Sequence, residues 1–303
     1  AKPLAARIRA VPDGAPQVSL SAAGVGSTVT AVARVPLALS VTDDWGAGAA
    51  WVEWRVESAD GPRAGPAIQV YSGPPRRRFE GKAMLDLAAE ELKPGVRVTV
   101  RAAARDNCAV PAPNVGRSAP LVLRVVSKAE LRRSLLLRQR DLRRDLEHQI
   151  QAVRRFRASL PADTTLTHSV GRALRGASDV LELTARGYRD VLEQMRNNDL
   201  LSPAAVVGRL ADIVGPLAAL ARPDGELLGA AGALDGGAEG LPDALRLLQG
   251  ALEQMERVRG RMMLLEDYSA LVASIGEIAA GQREVLDGTQ REQRRALDEL
   301  LGE

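Results

Sequence analysis

The chain has 303 residues, 46% of them hydrophobic, 26% charged and 3% aromatic, a balance that suits two globular domains and excludes a disordered polymer. Basic residues number 41 and acidic ones 38, so the net charge of +3 is too close to balance to point to nucleic acid by itself. Cys108 is the only cysteine, and His148 and His168 are the only histidines, which excludes a disulfide framework, a multi-cysteine metal site and a histidine-rich centre.

Among the basic residues only Lys2, Lys82, Lys93 and Lys128 are lysines. Arginine and alanine richness of this kind is what GC-rich codons produce, and it reads as a GC-rich bacterial source. No apolar run approaches the roughly 20 residues of a membrane-spanning helix. The opening Ala-Lys-Pro carries neither Met nor an apolar signal segment, which reads as a mature chain or a piece of a longer protein. An anchor or export signal ahead of Ala1 would bring it close to a membrane.

Up to about residue 127 the apolar residues alternate with period two. Val18 and Leu20 lead, followed by Val35, Leu37, Leu39 and Val41; then Val52, Trp54 and Val56 face one way and Trp51, Glu53 and Arg55 the other. Shorter candidates are 67–71, 79–87, 96–104 and 121–125. Turn signals separate them: Asp43-Asp44-Trp45-Gly46, Asp60-Gly61-Pro62, Gly73-Pro74-Pro75, Lys93-Pro94-Gly95 and 111–116. About seven strands in about 110 residues predict a β-sandwich, with Trp54 filling its core.

Beyond residue 127 the period becomes helical. Leu131, Leu135, Leu142, Leu146, Ile150 and Val153 share a stripe that Pro161 ends. A second helix is expected from an Asp163 cap to about 198, and a third from Ser202-Pro203 to about 222. The stretch 223–241, rich in glycine, is expected to be a mobile loop. From Pro242 to Leu300 the helical pattern resumes. Tyr268, Val272, Ile275, Ala279, Gln282, Leu286, Thr289, Gln293, Ala296 and Leu300 are spaced by fours and threes, a heptad seam with polar layers. Gly250, Gly260, Gly276 and Gly281 predict kinks or a break.

Candidate site residues are few. Asp43 and Asp44 follow one strand, and Asp106 and Asn107 another that emerges at the same end of a sandwich. They read either as oxygen ligands for Ca²⁺, the one cofactor considered, or as caps bonding their own turns. Trp51 points outward, as a contact surface or as a residue covered by the neighbouring domain. Arg76, Arg77 and Arg78 form a short basic run, and residues 128–157 hold ten bases against four acids. These could meet phosphates. They lack aromatic neighbours for stacking on bases, and residues 277–303, with seven acids and four bases, offer an internal partner, so no nucleic acid is expected. His148 and His168 lack nearby ligands. No G-x-x-x-x-G-K-[ST], G-x-S-x-G or H-E-x-x-H is present, and carboxylate pairs such as Glu90-Glu91 sit in surface-like segments, so the chain reads as no enzyme.

The segment Leu37 to Val56, with Val41-Thr42-Asp43-Asp44-Trp45-Gly46 feeding an aromatic-rich strand, resembles Ig-like and fibronectin type III-like modules of bacterial envelope proteins. So do Leu92-Lys93-Pro94-Gly95-Val96, the strand ending Arg105-Asp106-Asn107, and Ser118-Ala119-Pro120 opening a last strand that enters a charged helix at Lys128. This order, over residues 17 to about 150, is similar to a family of bacterial membrane-anchored proteins of uncharacterised function in which such a domain precedes long coiled helices. The resemblance implies a periplasmic or envelope location and an architectural or interaction role.

The resulting expectation is a multi-domain β + α chain: an N-terminal Ig-like β-sandwich (1–127), then an elongated antiparallel helical bundle or coiled coil (128–303). The expected function is a structural or protein-interaction module, with sandwich loops presenting a surface to protein partners and the helices serving as spacer or self-association surface. The alternatives are an anion-binding module for nucleic acid or anionic lipid using Arg76–Arg78 and the basic first helix, and an enzyme or carbohydrate-binding module with a cleft at the domain junction lined by Trp45 or Trp51 and carboxylates.

Overall fold

The computed structural model describes residues 13–59, 61–109, 112–160 and 167–301. The chain divides at Ser127/Lys128 into two compact units, the first built of strands and the second of helices.

The first unit contains β1 (Gln17–Ala22), β2 (Thr28–Thr30), β3 (Arg34–Ser58), β4 (Gly61–Ala64), β5 (Ile68–Asp86), β6 (Arg97–Asp106), β7 (Val115–Arg117) and β8 (Leu121–Val126). They form one hydrogen-bonded, curled sheet in the order β1-β3-β6-β8-β2, with β4 and β5 joined to β3 and β7 to β6. β3 is the hub. One of its edges pairs with β1 along Leu37–Thr42 and then with β6 along Ala47–Glu57, while the other pairs with β5 from Arg34 to Val52 and with β4 thereafter. β2 closes the far end in parallel with β8.

Two expected turns, 43–46 and 73–75, instead lie inside the continuous strands β3 and β5. The reason is local. The two segments face each other as one paired corner, where Gly46 takes φ +114° and packs against Pro75 and the Arg76 amide. A side chain at that φ would be strained. The register shifts between Thr42 and Ala49 also change which residues point inward. Val35, Leu37, Leu39 and Val41 are buried before the corner, and Ala50, Val52, Trp54 and Val56 after it. An irregularity of this kind moves a strand from odd to even inward residues without breaking it. Trp54 is 5% exposed, its Nε1 donating to the Pro66 carbonyl at 3.1 Å. Gly65 lies flat on its indole, where a Cβ would come within 1.9 Å of Cζ2.

The second unit contains α1 (Lys128–Ser159), α2 (Thr167–Asn197), α3 (Pro203–Arg209), a π-turn (Leu210–Val214), α4 (Gly215–Leu220), α5 (Glu226–Asp235), a 3-10 turn (Gly237–Gly240) and α6 (Leu241–Leu301). The expected stripe of α1 is buried apart from Leu142, which is half-buried, and Gln139 joins it. The expected cap Asp163 lies outside the described residues. Ser202 does cap α3, accepting from the Ala205 amide at 3.3 Å with Pro203 in the first turn. The glycine-rich stretch is a helix rather than a loop. Leu227, Ala230, Ala231 and Leu234 stand at i, i+3, i+4 and i+7 and are fully buried, an apolar period that outweighs the helix cost of its glycines. α6 runs unbroken for 61 residues, about 90 Å at 1.5 Å per residue, through all four glycines expected to interrupt it.

Candidate functional site

The corner of β3 and the end of β6 meet where Ala47 pairs with Asp106. Asp43 is buried there, its Oδ2 accepting from the Trp45 amide at 3.2 Å and from the Gly46 amide, while Oδ1 has no hydrogen-bond partner among the described residues. Asp106, 4% exposed, accepts from the amides of Cys108 (3.1 Å) and Asn114 (2.8 Å) and from Asn114 Nδ2 (2.8 Å). Both carboxylates thus serve their own turns, the geometry of aspartate in irregular loops. Asp44 and Asn107 are exposed. Asp13, which sequence reasoning missed, joins this end. Its carboxyl lies above the usual range because of lost solvation, opposed by the Cys108 side chain and reinforced by the charges of Asp44 and Asp106. No group of three or more His, Cys, Asp or Glu among the described residues has the arrangement of a metal site. The signal for Asp13 lay in the fold alone, since its distance from Asp44 and Asp106 in sequence hides the pairing.

Trp51 stands half-buried on the outward face of β3, its Nε1 donating to Glu53 Oε1 at 2.9 Å. Arg117 Nε donates to Glu53 Oε2 at 3.3 Å, and Arg101 lies directly across the ladder from Glu53. Burial works to raise the Glu53 carboxyl, but the bonds from Trp51 and Arg117 and the charges of Arg117 and Arg101 prevail and hold it below its ordinary value. An open groove of about 610 Å³ follows this face, lined by Glu53, Arg55, Glu57, Thr99, Arg101 and Arg117. Trp51 is therefore tied into a cross-strand network of alternating charge.

Arg76, Arg77 and Arg78 are all exposed on β5. Among the described strands β5 pairs only with β3, so its other edge is open. Charges and prolines on an open edge discourage a further strand from adding, and the run together with Pro74 and Pro75 fits that use. Arg76 also stacks over Tyr71, 5.0 Å from the ring centroid.

The basic residues of α1 are largely paired within the helical unit. Lys128 meets Asp199 (2.7 Å), Arg138 meets Asp190 (3.7 Å), Arg140 and Arg143 meet Glu266 (3.9 and 2.8 Å), and Arg154 meets Glu256. Among the described side chains, the α6 acids that pair with α1 are Glu256 and Glu266, upstream of the 277–303 segment. Glu266, only 6% exposed, had no signal in the sequence beyond its place beside the buried Met262 and Leu265. Its hydrogen bond raises the Arg143 guanidinium further, against burial, with Glu147 adding to the effect. Tyr188 is fully buried with its hydroxyl unpartnered among the described residues, and burial pushes that hydroxyl well above its ordinary value. His148 and His168 are exposed on α1 and α2.

The most unusual surface lies on α6. Its fully buried positions end at Met262, Leu265 and Glu266, and past them no described side chain of the helix is buried. Yet Tyr268, Leu271, Ile275, Ile278, Val285 and Leu286 are large, apolar and 54–70% exposed. Among the described residues no helix is long and apolar enough to cross a membrane. The sequence matches no family model and no curated protein, so the reading of this surface rests on its own chemistry.

Proposed function

We propose that the chain is a non-enzymatic structural or protein-interaction module of a bacterial cell envelope, its β unit an Ig-like sandwich and its helical unit an antiparallel bundle that continues into a coiled-coil assembly segment. The strand pairing supports the sandwich. The first half of β3 pairs with β1 and with the second half of β5, and its second half pairs with β6, beyond which lie β8 and the parallel β2, so that a bend at the corner of β3 would set these two groups as the facing layers. The envelope location draws on the resemblance of residues 17–150 alone.

The observation that carries the assembly role is the exposed apolar face of α6 from Tyr268 to Leu286. A solvent-exposed helix gains nothing from such residues unless something covers them. The test is a photo-activated cross-linking residue placed at Ile275 in bacteria producing the chain, with the exposed Arg186 position of α2 as control. Discrete adducts at Ile275 and not at Arg186 support the reading. Equal or absent capture at both positions removes it.

A further inference from the structure

We infer that the occupant of the α6 face is a second copy of the same chain, joined as a parallel, in-register two-stranded coiled coil over residues 268–289; the inference rests on the assembly reading above. Tyr268, Leu271, Ile275, Ile278, Gln282, Val285 and Thr289 follow one another by three and four residues without interruption. All seven are exposed on the unbroken helix α6. They make alternating a and d positions, the spacing that keeps one helix facing another.

The polar layers select the partner and its direction. In a parallel pair every layer faces its own copy, so Gln282 meets Gln282 and Thr289 meets Thr289, and each polar side chain finds a polar one. An antiparallel pair stacks a against d positions, and alignments that keep the apolar stretch overlapped set Gln282 against Leu271 or Ile278. That buries an amide against an alkyl chain, which is unfavourable without a bonding partner. The flanking positions agree. Ser274, Gly281 and Gly288 on one side and Val272, Ala279 and Leu286 on the other carry no charge, so two parallel copies meet no like-charge opposition along the seam. The next d position is Glu292, which faces its own copy and ends the apolar run after Thr289.

The area suffices. Tyr268, Leu271, Ile275, Ile278, Val285 and Leu286 are each 54–70% exposed. At about 100 Å² covered per side chain, these six alone bury about 600 Å² per copy and about 1,200 Å² per pair, the lower bound for specific interfaces. Ile275 at an a position with Leu271 at a d position follows the two-stranded pattern, whereas β-branched Ile278 and Val285 at the next d positions do not, so the number of strands is read from the mass.

The test uses the full chain with Cys108→Ser, so that engineered thiols report alone. Sedimentation equilibrium across micromolar concentrations should give twice the single-chain mass of 32.2 kDa. Ile275→Lys with Ile278→Lys should weaken the pair by about 100-fold or more, because like charges then face each other in the seam. Both positions are exposed in the single chain, so circular dichroism and melting of the monomer should not change. Leu271→Cys and Val285→Cys, made singly, should each form an intermolecular disulfide under mild oxidation.

A single-chain mass throughout overturns the inference. Disulfides absent from both cysteine variants despite a doubled mass overturn the parallel direction. Cross-links at Ile275 in cells that reach only a different protein, with a purified chain that stays single, overturn the second copy while leaving the assembly reading standing. No cross-links in cells and a single-chain mass remove both.

Discussion

Arg143 Nε donates to the Glu266 carboxylate at 2.8 Å, tying the middle of α1 to the last buried turn of α6. Arg140 approaches the same carboxylate at 3.9 Å, and Arg143 also donates to Glu147 at 2.6 Å. Glu266 is almost wholly buried, so removing its charge leaves the half-buried Arg143 guanidinium with Glu147 as its remaining carboxylate partner. Glu266→Gln should cost about 2 kcal/mol and lower the melting temperature by roughly 5 °C, as read by thermal unfolding of the whole chain. An unchanged melt would show that α6 is held by apolar packing alone.

Glu53 offers a pH test. Its carboxyl is held below the ordinary glutamate value in the fold, so its contribution is present above the unfolded value and is lost as pH falls through the folded one. Glu53→Gln should therefore melt lower than the native chain near neutrality, and the two curves should converge in acid. Melting from pH 7 down to pH 3 checks this, and a gap that persists in acid would contradict it.

Asp13 has the opposite sign. Its carboxyl is raised in the fold, so its stabilising contribution is complete below the unfolded value and disappears as pH rises through the folded value. Asp13→Asn should raise the melting temperature at pH 7, with the advantage shrinking on acidification. A gain independent of pH would point to packing instead of charge.

Gly65→Ala tests the seat of Trp54. The added methyl meets the indole well inside contact distance, and the neighbouring strands must shift to accept it. A loss of about 2 kcal/mol is expected, with a red shift in tryptophan emission as the ring is displaced toward solvent. The same substitution at Gly260, where nothing lies within 4 Å, should be neutral or mildly stabilising.

Replacing Gln282 by leucine should raise thermal stability and broaden the range of assembly sizes. Polar layers in a seam fix register and strand number at a cost in stability, and leucine removes that constraint. Light scattering with melting reads both effects, and unchanged mass and melting would remove Gln282 from the seam.

The alternation of Val52, Trp54 and Val56 with Trp51, Glu53 and Arg55 was readable without coordinates because period two survives wherever one face of a strand is buried. The corner was not. Asp43–Gly46 carries the composition of a hairpin turn, and nothing local says that Gly73–Pro75 will lie opposite and turn both segments into one bend. The helix α5 was hidden for a similar reason. Glycine content masked the spacing of Leu227, Ala230, Ala231 and Leu234, which is that of a packed helix. At the loop end, turn capping by Asp43 and Asp106 was one of the two readings the sequence left open. Asp13 could not be found there, since only the closed sheet brings residue 13 beside Asp44 and Cys108. On α6 the four-three spacing was legible. That the large exposed residues include Leu271, Ile278 and Val285, one position before Val272, Ala279 and Leu286, depends on which side of the helix α1 covers.

Because β2 pairs in parallel with β8, residues 28–30 must wait for residues 124–126 before either is fully paired. β8 also pairs with β6, so a ribosome that has released everything up to Pro120 has yet to deliver the strand that links β2 to the rest of the sheet. Lys128 opens the helical unit two residues after that strand ends. Closure of the β unit over so long a sequence interval is intrinsically slow. During synthesis α1 would therefore begin to emerge while the sheet is still finding its register, so that a pause in translation once β8 has cleared the ribosome would favour recovery of native chain, and its removal would favour misassembly.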